Sequence, residues 1–153
     1  LKFLELKIPP ALLFLMFVAA IKFIPLTIFA VPVGSEFLPI IIKSIIFSAI
    51  AIVVFAIISF RIAKTTVDPM SPDKASKLVD SGIFRISRNP MYLGFVLMIF
   101  AGAVYKQTLF AYLLVIVFVR YLHYFQILPE ERMLTKVFGQ DYTEYCKRVR
   151  RWL

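Results

Sequence analysis

A chain of 153 residues that is 61% hydrophobic, 16% aromatic and only 18% charged, with a mean hydropathy of +0.85, carries more apolar surface than a soluble domain of that size, which is about half apolar. This excludes an ordinary cytosolic enzyme, a disordered tail and a nucleic-acid module. Eighteen Lys and Arg against nine Asp and Glu give a net charge of +9, which in so hydrophobic a chain reads as positive charge facing anionic lipid. With one cysteine, Cys146, and one histidine, His123, an internal disulfide and a Cys/His zinc site are both excluded, and no metal is expected.

Four apolar stretches follow one another, to be set against the roughly 20 helical residues that cross about 30 Å of hydrocarbon. The first, Ala11 to Val33, is interrupted by Lys22 and Pro25; it is too long for a signal peptide and lacks a small-residue cleavage site. The second, Leu38 to Phe60, carries Lys43 near its start. The third, Tyr92 to Tyr105, is fully apolar and short, so that Pro90 at its first turn and local bilayer thinning are needed for it to span. The fourth, Leu109 to Leu128, contains Arg120 and His123.

Two polar parts remain, residues 61–89 and the tail 129–153. They hold Arg61, Lys64, Lys74, Lys77, Arg85 and Arg88 in the first, and Arg132, Lys136, Lys147, Arg148, Arg150 and Arg151 in the second. The opposite turns offer only Glu36 and Lys106. The positive-inside rule therefore sets both termini and the long loop on the cytoplasmic side of the cell (inner) membrane, and four spans make that arrangement self-consistent. In the tail, Leu134, Phe138, Tyr142, Tyr145, Val149 and Trp152 recur at steps of three and four and draw one apolar stripe along an amphipathic helix, which Gly139 is placed to break in two. The expected fold is all-α: a multi-pass membrane bundle of about four transmembrane helices plus a cytoplasmic C-terminal amphipathic helix.

No glycine-rich phosphate loop or dinucleotide fingerprint is present. Two polar clusters stand out instead. In the run Arg88-Asn89-Pro90-Met91-Tyr92, Pro90 suits a first helical turn and Asn89 is placed to cap it. Arg88 then lies beside backbone donors that attract an anion, with the Tyr92 ring near for a cation. The plainer alternative is an Arg that anchors a span at the headgroups. In Pro129-Glu130-Glu131-Arg132, two acids at a helix start would favour its dipole. Yet Glu130 sits among apolar neighbours, where a carboxylate calls for a ligand amine or hydroxyl. Arg120 and His123 fall on the same helical side as these acids by steps of three, four and seven.

Taken together, Leu78-Val79-x-x-Gly82-x-Phe84-x-x-x-Arg88-Asn89-Pro90-x-Tyr92-x-Gly94 and, two spans later, Glu130-Glu131-x-x-Leu134-x-x-x-Phe138-Gly139-x-x-Tyr142-x-x-Tyr145-x-x-x-Val149 resemble the isoprenylcysteine carboxyl methyltransferase family and its phospholipid methyltransferase relatives, over about residues 76–152. The first two apolar stretches place two N-terminal spans in residues 1–60. The resemblance implies a catalytic region in 61–153, made of loop 61–89, transmembrane hairpin 90–128 and helical tail 129–153.

It also implies an S-adenosyl-L-methionine-dependent membrane methyltransferase, with a cofactor site of Ser76, Lys77, Leu78, Val79, Phe84, Arg88, Asn89, Pro90, Met91, Tyr92 and Glu130. The acceptor is a lipophilic substrate from the bilayer, an isoprenylcysteine-like carboxylate or a lipid amine, and membrane lipids are the surrounding partners. Glu130 and Glu131 are the nearest bases for an amine. Two departures matter. The family's His before Pro is Asn89 here, which cannot titrate. The family's carboxylate-binding Arg falls at Gln126, so either Gln126 or Arg120 is expected to meet the substrate. Two alternatives are an NADPH-dependent sterol-type reductase, which shares a similar Arg, Pro and Tyr run, and a small noncatalytic membrane protein.

Overall fold

The computed structural model describes residues 2–25, 30, 36–64 and 76–153. Lys74, the centre of the long loop and most of the first apolar stretch beyond Pro25 lie outside the described residues. Helices account for every regular element described: α1 (Pro10–Phe23), α2 (Leu38–Ala63), α3 (Pro90–Lys106), α4 (Leu109–Tyr121), a π-helical turn (Leu122–Ile127), α5 (Leu128–Phe138) and α6 (Gln140–Arg148), with short 3-10 turns at Lys2–Leu4 and Gly82–Arg85. Among the described residues the sole β pairing is an isolated bridge between Ala30 and Thr108.

Local sequence sets the ends. Prolines open α1, α2 and α3 at the first or second helical position, where a missing N–H leaves nothing unpaired. Thr108 caps α4 by accepting from the Ala111 N–H at 3.3 Å. The amphipathic tail does divide at Gly139, whose φ of +56° ends α5 and opens α6; only glycine takes that conformation without strain.

α3 is the central helix and packs against α1, α2 and α4. Its contact with α2 is close because Gly94 has no side chain: a Cβ there would lie 2.4 Å from Val53 Cγ2 and 3.0 Å from the Ala49 carbonyl oxygen. The end of α2 lies beside the turn that leads into α3, with Phe60 against Phe84 at 5.1 Å, and α4 follows α3 after two residues. At one end Lys106 Nζ donates to the carbonyls of Lys22 and Ile24 at 2.9 and 3.1 Å, closing the last turn of α1. At the other end the start of α1, the end of α2, the start of α3 and the helical segment from the π turn onward come together, and the site described below is built there. The core beneath it contains Leu13, Ile21, Tyr92, Ile99, Phe118, Leu122 and Ile127.

The outer faces are apolar. Ile40, Phe47, Ile50, Phe55, Ile58 and Ile62 of α2 are exposed, as are Leu113, Ile116 and Val117 of α4, a distribution suited to hydrocarbon rather than water. Two helices are long and apolar enough to cross a membrane: α2 and the continuous 30-residue helix from Leu109 to Phe138. With 14 and 17 residues, α1 and α3 are shorter, about 21 and 26 Å at 1.5 Å per residue. Of the four expected spans, two are helices of spanning length and two are shorter apolar helices; α1 stops at Phe23, ahead of Pro25, rather than running through the first stretch.

Candidate functional site

The site grows from residue 88. The Arg88 side chain is 10% exposed and turns away from solvent to meet Glu131, 16% exposed, with Nη2 at 2.7 Å from Oε1. Arg88 Nη1 donates to the carbonyls of Val149 and Cys146 at 2.7 and 3.2 Å, so one guanidinium closes the C-terminus of α6 and neutralises a carboxylate on α5. Glu131 is gripped from its other side by Arg151, with Nε 3.0 Å from Oε1 and Nη2 2.7 Å from Oε2, the paired geometry that makes Arg–carboxylate contacts strong.

The backbone adds to this. Arg88 N–H donates to the Arg150 carbonyl at 3.0 Å, and the Arg151 carbonyl accepts from Asn89 Nδ2 at 3.0 Å and from Ser87 Oγ at 3.4 Å. Residues 149–152 therefore lie as an extended strap along residues 87–89, with Val149 buried and Trp152 packed on the core around Leu13, Tyr92 and Leu122.

One turn into α3, the Tyr92 hydroxyl donates to Glu130 Oε2 at 2.9 Å. Tyr92 is buried and Glu130 half-buried. The two glutamates thus differ sharply: Glu131 has two cationic partners, while a neutral hydroxyl is the one described partner of Glu130. Beside them a second core of Val79, Phe84, Tyr142, Tyr145 and Val149 walls the site, with Leu78, Met91 and Phe138 against it. Phe60 meets Phe84 edge-on at 5.1 Å. Tyr145 donates its hydroxyl to the Phe84 carbonyl at 2.8 Å, fixing α6 on the turn before α3.

The electrostatics follow from this packing. Burial pushes the Tyr142 and Tyr145 phenols well above their ordinary range, so both stay neutral donors. Arg151 is raised by its hydrogen bond to Glu131. Burial opposes the charge on Arg88, but the hydrogen bond and charge of Glu131 outweigh it and the net shift is upward. Among the described residues, Arg88 Nε, Tyr121 Oη and Gln126 Oε1 are buried polar atoms without a partner.

Several sequence-based expectations change at this level. Asn89 makes no capping hydrogen bond to α3; its amide is committed to the Arg151 carbonyl. Glu130 and Glu131 do not open a helix, because α4, the π turn and α5 are one continuous helix, and the free N–H groups that a dipole argument needs are absent there. The π turn also undoes the spacing argument for Arg120, since steps of three, four and seven presuppose unbroken α geometry. Arg120 is exposed, its guanidinium 5.1 Å from the centre of the Tyr124 ring, with no hydrogen bond or ion pair among the described residues. Gln126 is fully buried in the π turn and donates through Nε2 to the Ile8 carbonyl, while the Leu6 N–H donates to the Phe125 carbonyl at 2.9 Å and Arg132 pairs with Glu5. Gln126 thus holds the N-terminal segment against the π turn.

Arg88, Asn89, Tyr92, Glu130 and Glu131 are brought together; Val79, Phe84, Pro90 and Met91 are buried or half-buried close to them in the chain or in the second core, whereas Ser76 and Lys77 are exposed. Arg151 and Ser87 were missed. Arg151 stands in a run of tail cations that reads as headgroup charge, and nothing in that run marks one of them as turned inward.

Residues 40–141, two thirds of the chain, match the family model described as phospholipid methyltransferase. The chain belongs to the phospholipid methyltransferase family. The matched stretch contains α2 from Ile40 onward, α3, the continuous α4–α5 helix and both glutamates of the site. A 63-residue uncharacterised protein of Haemophilus influenzae is 40% identical over its whole length, which covers 41% of this chain. No solved structure matches.

Proposed function

We propose that this member of the family is an S-adenosylmethionine-dependent methyltransferase acting at one membrane face on a lipophilic acceptor, an isoprenylcysteine-like carboxylate or a lipid amine. The observation that supports it most is the meeting of the two halves of the family motif, Arg88 to Tyr92 and Glu130-Glu131, in one ion-paired cluster.

The residues present fit such a cofactor. The Glu130 carboxylate, with one neutral partner, suits an ammonium or a ribose hydroxyl pair. The unpartnered Arg88 Nε–H suits a carboxylate oxygen, and the aromatic wall suits a base and a cationic sulfur. When bound, the cofactor supplies an electrophilic methyl group on a sulfonium. The rest is work for the chain. Tyr92 holds the Glu130 carboxylate in place by donating to it. Phe84, Val79 and Met91 exclude water, which favours dispersing positive charge. The apolar helices would admit the acceptor sideways from the lipid and hold it oriented toward the site. A carboxylate acceptor needs no base; an amine must lose a proton, for which Glu130 is the proposed base. Arg88 serves chiefly as a structural tie, with four of its bonds already made to Glu131 and to carbonyls of residues 146, 149 and 150.

The test is a transfer assay. Detergent-purified protein is incubated with methyl-labelled cofactor and a membrane lipid extract, and thermal stability is followed with S-adenosylmethionine or NADPH in parallel. Label entering the organic phase, with stabilisation by S-adenosylmethionine alone, is expected. Stabilisation by NADPH and no label transfer would overturn the reading.

A further inference from the structure

We infer that Arg151 is a positioning residue for the cofactor site: its forked contact with Glu131 fixes the rotation of α5, and with it the Glu130–Tyr92 pair. The inference rests on the methyltransferase reading of that site.

The argument begins with the π turn. In an unbroken α-helix, α4 would set the direction in which every side chain of α5 points. Six residues of π geometry, Leu122–Ile127, intervene and shift the phase of α5 relative to α4, and ties to other elements hold α5 at that setting. Glu131 supplies the tie on the site side. It receives one bond from Arg88 at the start of α3 and two from Arg151 in the strap. Because Glu130 is its direct neighbour, fixing Glu131 fixes where the Glu130 carboxylate lies relative to Tyr92.

Charge points the same way. Glu131 opposes two cations, Arg88 and Arg151. Without Arg151 its carboxylate keeps the Arg88 contact at Oε1 alone, and Oε2 loses its described cationic partner. The other tail cations do not substitute. Arg148 is two-thirds exposed and pairs with Asp80 at 3.4 Å, Lys147 pairs with Glu144 one turn away, and the Arg150 side chain is exposed. Arg151 is the tail cation among the described residues that turns into the site.

Three variants and two readouts test this in the full-length protein in detergent. Cofactor affinity is measured by equilibrium binding of S-adenosylmethionine, and strap docking by the emission of Trp152, the one tryptophan of the chain, which packs beside the site. Arg151→Ala is expected to bind the cofactor at least tenfold more weakly and to red-shift the Trp152 emission. Arg151→Lys, which keeps the charge and loses the fork, is expected to fall between it and the wild type. Arg148→Ala, which removes the same charge from the same tail, is expected to stay within twofold of wild type. Equal affinity of wild type and Arg151→Ala, or an equal loss in Arg148→Ala, overturns the positioning role. If Arg151→Ala does not fold, Arg151→Lys decides: a loss of threefold or more supports the inference, and wild-type affinity overturns it. A wild-type protein that binds no S-adenosylmethionine overturns the underlying reading instead.

Discussion

Two neighbouring glutamates on one helical turn carry different loads. Glu131 lies half-buried between two guanidinium groups, and removing one partner of such a pair leaves an uncompensated charge, which costs about 3 to 5 kcal/mol for fully buried cases. With Glu131 16% exposed and Arg151 still in place, Arg88→Ala is expected to lower unfolding stability by about 2 to 3 kcal/mol. Arg88→Lys should recover little, because a single ammonium cannot serve Glu131, Cys146 and Val149 at once. Denaturant titration in mild detergent measures both; a stable Arg88→Lys protein would contradict the multi-bond account. Glu130 has less to lose structurally. Tyr92→Phe removes its one described hydrogen bond and is expected to cost about 1 to 2 kcal/mol, seen as a lower melting temperature in the absence of any ligand.

The elements owe their arrangement to features that differ in how visible they are in sequence. The three later apolar stretches, Pro90 opening α3 and the break at Gly139 follow from local rules, and the structure agrees with them, whereas α1 stops short of the first stretch. The π turn does not follow: its residues, LHYFQI, have no marker that separates them from an ordinary amphipathic turn, and the shift it introduces separates Arg120 from the acids with which α periodicity aligned it. The strap is equally hidden, since Arg151 meets residues 20 and 62 to 64 positions away in the chain and such pairings are set by tertiary packing alone. Gly94 shows what the α2–α3 contact demands. Gly94→Ala places a Cβ against Val53 and the Ala49 carbonyl, and overpacking of this kind costs about 1 to 3 kcal/mol. Adding Val53→Ala is expected to return part of that loss, because the nearer clash is with a Val53 methyl; a double variant no more stable than Gly94→Ala would show that the backbone contact with Ala49 dominates.

At the scale of the whole molecule, the bundle gathers its chemistry at one end. Residues 5–8, 78–92, 125–132 and 142–152 meet there, and Lys22, Ile24, Lys106 and Thr108 lie at the other. The charge distribution that suggested a single polar face was readable from the sequence; that Arg88, Glu131 and Arg151 within it form one bonded cluster was not. If this end faces the cytoplasm, cysteines placed at Lys64 and Arg150 in a Cys146→Ser background should react together with an impermeant maleimide from one side of sealed vesicles, and one at Lys106 from the opposite side. Labelling of Lys64 and Lys106 positions from the same side would contradict the arrangement.

The central claim is that the turn before α3, the start of α5 and the C-terminal strap form a single cofactor site. Ultraviolet cross-linking of labelled S-adenosylmethionine to the intact protein, followed by peptide mapping, addresses it directly. The account predicts saturable label, displaced by excess unlabelled cofactor, in peptides from both 78–92 and 126–152. Displaceable label confined to α1 or α2 would contradict it.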